Sequence, residues 1–203
     1  MARLKRMSLA GGVLGALALA WAVAAAADAV PPADLERARQ AAGQLKGELM
    51  KSLTAALAEG GPSQGVRVCS EIAPGIAARL SGDGMTVRRV TTRPRNPANA
   101  PDAWERRMLD TLAAAHARGE AVVELTEVSE EKLPRGAAGA PKSVLLYMAP
   151  LTVAAPCLQC HGDPAQIDPA VKAALAEKYP KDQATGYKAG DFRGAVVVRI
   201  ERP

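Results

Sequence analysis

The stretch APCLQCHGD, residues 155–163, decides the reading of this chain, through its chemistry and through its place. Cys157, Cys160 and His161 spell C-x-x-C-H, a spacing that suits covalent haem attachment, metal binding or thiol exchange. In small cytochromes c such a motif lies near the N-terminus of an all-helical domain. Here it follows several strand-like segments and lies close to the C-terminal end of the 203 residues. The fold therefore belongs to another class.

Four segments are rich in β-branched residues or alternate in polarity, and they are expected as strands: 86–92, 121–128, 143–148 and 194–201. No regular βαβ alternation links them. The expected architecture is α+β, an antiparallel sheet with helices on one side. Upstream, Leu35, Ala38, Ala42, Leu45, Leu49, Leu53 and Leu57 recur at spacings of three and four, which predicts one long amphipathic helix over 32–59. Gly60-Gly61-Pro62 stops it, and Ser63 is placed to cap a second helix in which Cys69, Ile72, Ile76 and Leu80 share a face up to Gly82. Cys69 is thus expected to point inward. Pro74 lacks the N–H that would bond back to Ser70, so a kink is expected one turn beyond Cys69. Residues 101–118 predict a helix with a stripe of Trp104, Met108 and Leu112, and 168–179 a short one. Residues 136–139 and 187–190 read as exposed turns.

The first residues set the compartment. Arg3, Lys5 and Arg6 precede an apolar run, and Ala25-Ala26-Ala27 offers a small-residue cleavage site, so residues 1–27 read as a secretory signal peptide and 28–203 as one exported domain. The rival is an uncleaved anchor, because 7–27 approaches the ~20 apolar residues of a spanning helix. Contact with a membrane is expected only through this segment, and only if it stays uncleaved. Removing it leaves 176 residues and lowers the net charge from +5 to +2. That balance, with export, argues against a nucleic-acid partner, which would want a clustered basic face. Aromatic content is only 3 %, so Val, Leu, Ile and Ala must build the core, with a cofactor as possible apolar filler.

Three chemistries compete for the C-x-x-C-H. A redox dithiol sits at a strand-to-helix junction of a βαβ unit, and none surrounds it. Structural zinc needs four Cys or His ligands in close pairs, and the chain has only Cys69 and His116 left to offer. A disulfide across two intervening residues closes too small a loop to stabilise much. Covalent haem c fits atom by atom: the Cys157 and Cys160 thiols add to two neighbouring vinyl groups, and His161 is carried under the iron as an axial ligand. An exported chain reaches the compartment where such haem is attached. For the opposite iron position, Cys69, His116, Met108 and Met148 remain open, each with a plain structural reading beside it.

The stretches VCSEIAPGIAARLS (68–81), RPRNPANAPDAWE (93–105), the C-x-x-C-H with Gly162 after it, and GDFRGAVVV (190–198) resemble a known family. It is the PAS-like c-type haem-binding domain, found in exported cytochromes and at the sensing ends of some bacterial receptors. The resemblance implies a PAS-like antiparallel sheet with a long N-terminal helix and flanking helices, the haem being held by the C-terminal C-x-x-C-H loop. It further implies His161 and Cys69 as the two axial ligands. Arg95, inside the quoted pattern, then has two readings: part of a rigid Pro-rich connector, or a guanidinium paired with a haem propionate.

The expected function is electron transfer by a periplasmic monohaem cytochrome with a redox partner protein, oligomerisation being open. The alternative is a haem-based redox or gas sensor acting through a separate partner, since no kinase, cyclase or methyl-accepting segment is present. An enzyme is not expected, because peroxidatic or nitrite chemistry needs distal acid–base groups and only one histidine is spare.

Overall fold

The computed structural model describes residues 30–121, 123–131 and 142–202. The signal segment expected at 1–27 and the turn expected at 136–139 lie outside the described residues. Among the described residues no helix is long and apolar enough to cross a membrane.

Helix α1 runs over Pro32–Arg67, but Gly60 and Gly61 break its backbone, Gly61 standing at φ +69°. The stop read at Gly60-Gly61-Pro62 is thus a sharp bend. Helical backbone resumes at once with Pro62, so Ser63 lies inside the second limb and does not cap it. Proline's fixed φ suits the first position of a helix, and glycine tolerates the preceding conformation. A π-helical turn over Val68–Ile72 follows, closed by the Ala73 N–H donating to the Val68 carbonyl five residues back. Helix α2, Ala73–Leu80, then carries Pro74 in its first turn. The kink expected from Pro74 therefore takes the form of a widened turn.

Strands β1 (Met85–Val90), β2 (Leu125–Glu131), β3 (Lys142–Thr152) and β4 (Phe192–Arg202) form one antiparallel sheet in the order β1-β4-β3-β2. Each matches an expected segment with shifted ends. On one face, Ala38, Ala42 and Leu45 of α1 and Ile76 of α2 pack against Val87, Leu145, Tyr147, Val196 and Val198. On the other, helix α3 (Ala103–Ala117) sets Trp104, Leu109 and Leu112 against Val144, Leu146, Met148, Ala195 and Val197. The expectation of helices on one side is therefore wrong. The continuous apolar runs of β3 and β4 are the reason, because strands buried on both faces lose their alternation and need a cover on each.

Asp102 caps α3 through a capping box with Glu105. Glu105 is 0 % exposed, and Arg88 of β1 lies 3.4 Å from its Oε1. Burial pushes this carboxyl above the ordinary range. After β3 come the short helix α4, Leu158–His161, and α5, Pro169–Lys178, whose Asp168 cap accepts from the Ala170 N–H at 2.7 Å. Val171 and Leu175 of α5, with Tyr179 beyond its end, close on Val66 of α1.

Candidate cofactor site

Between the second half of α1, the end of the sheet and the loop after β3 lies a cavity of about 460 Å³. That volume is within the range of small-molecule and cofactor pockets. One wall is the continuation of the helical stripe of α1: Leu49, Met50, Leu53 and Leu57. Where Ala38, Ala42 and Leu45 are buried on the sheet, these four are only partly covered, and Met50 is among the exposed large apolar residues. The bend at Gly60-Gly61 folds the second limb back on the first. A side-chain carbon at Gly65 would come within 3.2 Å of Leu53, so the limbs approach through a glycine.

The opposite wall is the C-x-x-C-H segment. Cys157, Cys160 and His161 all face this cavity, and Cys69, from the π turn, faces it too. The π turn carries the Cys69 position away from α-helical register, between the buried Val68 and the half-buried Ile72. His161 is held by its Nδ1, which donates to the Ala184 carbonyl at 2.6 Å when that nitrogen carries the proton. Nε2 is then left with its lone pair. Burial, with the positive charges of Arg95 and Arg193, brings the imidazole pKa down to about 3, so the ring stays neutral. A neutral ring anchored by Nδ1 to a carbonyl is the arrangement that orients a metal-binding histidine. Burial likewise pushes the Cys160 thiol up to about 11, and its sulfur lies 3.9 Å from the Pro62 carbonyl.

The backbone of this loop is fixed from outside. A Cβ at Gly162 would meet the Leu158 carbonyl at 2.6 Å, so glycine alone can follow His161 in this turn. The Gly186 and Tyr187 N–H groups donate to the carbonyls of Gly162 and His161 at 2.7 and 2.9 Å. The Tyr187 ring meets the imidazole edge-on at 6.4 Å, with the Arg93 guanidinium over its face at 4.4 Å. Arg95 is 6 % exposed and spans the loop: Nε donates to Asp182 at 2.9 Å, and Nη2 to the Cys160 carbonyl at 2.5 Å and the Ala184 carbonyl at 3.4 Å. It faces the cavity while bracing both sides of His161.

A match to known proteins now has a geometry to rest on. A family model described as Tll0287-like matches residues 21–201. The chain belongs to the Tll0287-like family. Its fold is similar to the crystal structure of the cyanobacterial heme-protein Tll0287, at a TM-score of 0.61 and 28 % identity, over 86 % of this chain and 98 % of that one. No curated protein matches. The resemblance to a haem-binding domain family read from the sequence is thereby borne out at the level of the family.

Of the residues singled out in the sequence, the fold brings Cys69, Arg95, Cys157, Cys160 and His161 to this one cavity. His116 lies elsewhere, near the end of α3, lining a smaller neighbouring hollow with its ring 6.2 Å from Phe192. Met148 is fully buried and Met108 partly buried on the α3 face of the sheet. Sequence reasoning passed over Lys46, Arg89, Arg193 and Tyr187. The first three are isolated basic residues among many, and no local pattern marks them; Tyr187 was read as part of an exposed turn yet is buried.

Proposed function

We propose that the protein is an exported, periplasmic monohaem c-type cytochrome with a PAS-like domain, tethered through Cys157 and Cys160 and ligated by His161 and Cys69, and that it transfers electrons to or from a protein partner. The observation that carries this reading is the convergence of Cys69 with Cys157, Cys160 and His161 on one cavity, although 88 residues separate the first two. The residues fit the group. Partly covered leucines supply an apolar wall, two thiols sit at the spacing for two vinyls, and a neutral imidazole offers Nε2.

Haem supplies a one-electron couple. The chain would do the rest: Cys157 and Cys160 would tether the group through their sulfurs. Ala184 and Tyr187 hold the His161 ring, and Cys69 would offer its sulfur as the second protein ligand. His161 and Cys69 would both be taken up in holding the group, which favours a carrier over an enzyme. Among the described lining residues there is no aspartate or glutamate to serve as a general acid or base.

The test is to express the full chain in a host with the c-haem maturation system. Denatured protein should keep one haem per chain on a gel, with a low-spin ferric EPR signal and a mature N-terminus near Asp28 by mass spectrometry. A folded chain carrying zinc or no haem overturns the proposal.

A further inference from the structure

The cavity is charged in one sense only. Lys46, Arg89, Arg95 and Arg193 face it, and no carboxylate does among the described lining residues. Two of these cations are satisfied by the protein. Arg95 pairs with Asp182 at 2.9 Å. Arg193 donates to Thr91 Oγ1 at 2.8 Å and to the Arg93 carbonyl at 3.4 Å, and lies 5.3 Å from the centre of the Tyr187 ring. Lys46 and Arg89 differ. Each is half-buried, and among the described residues neither has a hydrogen-bond or ion-pair partner. Burial holds the Lys46 amine below its ordinary range, with the charge of Glu124 offsetting this in part. Cations taken from water without a partner are costly, which marks a site completed by an anion from outside the polypeptide.

Their positions fit one anion with two carboxylates. Arg89 pairs in register with Val196, and Val196 with Ala149. Ala149 and Lys46 line the same neighbouring hollow. Ala149 therefore lies two strands, or about 10 Å, from Arg89 along one row of the sheet, and Lys46 lines the cavity on the Ala149 side. Cys160 packs against Val66, next to Gly65, which meets Leu53 and Leu57 farther along α1 than Lys46. Along α1, Lys46 lies about 16 Å from Leu57. On a porphyrin of the haem type, the two vinyls and the two propionates occupy opposite edges. With thioethers at the Cys157 and Cys160 end, the propionates fall at the end where Lys46 and Arg89 wait.

We propose that Lys46 and Arg89 hold the two haem propionates, one cation to each carboxylate, while Arg95 serves as a brace of the His161 loop. This rests on the haem reading above. A cation beside the haem disfavours the ferric state, which carries one more positive charge, so removing it must lower the midpoint potential.

The experiment uses the haem-loaded full chain. Lys46→Gln and Arg89→Gln should each lower the potential, and the double variant should favour the ferric state about tenfold, or ~59 mV for a one-electron couple. Resonance Raman bands for propionate bending should shift in the same variants, and Arg89→Lys should restore most of the potential. Arg106→Gln, an equal charge change on the exposed side of α3, should alter neither. Wild-type potentials and bands in the Lys46 and Arg89 variants overturn the assignment, as does an equal fall in Arg106→Gln. Should the double variant not fold, the two single variants decide alone. A wild-type chain without haem overturns the functional reading itself, which is a separate result.

Discussion

The two faces of the sheet are built to different degrees of completion. On the α3 face, Trp104, Leu109 and Leu112 close fully over Val144, Leu146, Met148, Ala195 and Val197. On the α1 face full burial stops after Leu45: Leu49 still packs at the margin of the core, and the same helical stripe runs on as half-buried Leu53 and Leu57, which meet Gly65 of the second limb and line the cavity. One face is a finished core. The other gives way to the cavity that the cysteines and His161 line. A stripe of leucines that outruns its protein partners points to a ligand as clearly as a motif does, because uncovered apolar wall is unfavourable until something covers it.

Removing the tether and ligand should break the contrast most strongly. Cys157→Ser with Cys160→Ser is expected to abolish haem on a denaturing gel while circular dichroism keeps the sheet, since both residues lie outside it. A chain that unfolds outright would show that the faces are not separable. Next in size, Leu109→Ala on the closed face should cost ~2–5 kcal/mol by denaturant titration, with or without haem. Leu53→Ala should cost little in haem-free protein and clearly more in haem-loaded protein. Equal costs in both forms would mean that the α1 wall is ordinary core.

Within the open face, Cys69→Ala should raise the midpoint potential, because an anionic sulfur stabilises ferric iron. It should also yield high-spin or water-ligated ferric iron, and faster carbon monoxide binding once reduced. An EPR signal that survives Cys69→Ala and is lost in His116→Ala would instead move the ligand to the neighbouring hollow. Smaller still is the effect of Glu105. Its carboxyl is raised by burial, so the folded chain keeps a proton that the unfolded chain has lost. Stability from this group must then fall as pH rises from the unfolded carboxylate range through the raised one. Glu105→Gln should flatten that slope in denaturation midpoints measured between about pH 4 and pH 7. His116→Ala should change neither spectrum nor potential.

Much of this was legible in the sequence, for identifiable reasons. The long helix, its break at Gly60-Gly61 and all four strands follow from periodicity and from residues with strong backbone preferences. The C-x-x-C-H was legible because two thiols and a histidine at fixed spacing leave few chemistries. The covering of both faces was missed, although VLLYM in β3 and AVVV in β4 carry the signal of strands buried on each side. Arg95 was half-read: the resemblance marked its position, but its partner Asp182 lies 87 residues away, and no local pattern shows that its guanidinium braces the loop. Lys46 and Arg89 were invisible, since a charge acquires meaning only from what the fold places, or fails to place, beside it.

The π turn at Val68–Ile72 has a consequence for how such a chain tolerates insertions and deletions. It holds one residue more than an α-helical path between the same two flanks would need. Losing a single residue there would let an α-helical path join the same flanks, so both limbs would keep their register while the Cys69 position between them is displaced. A deletion that improves local helix geometry would thus keep both limbs and misplace the one sulfur this turn offers to the cavity, so the segment should admit substitution away from Cys69 more readily than a change in length.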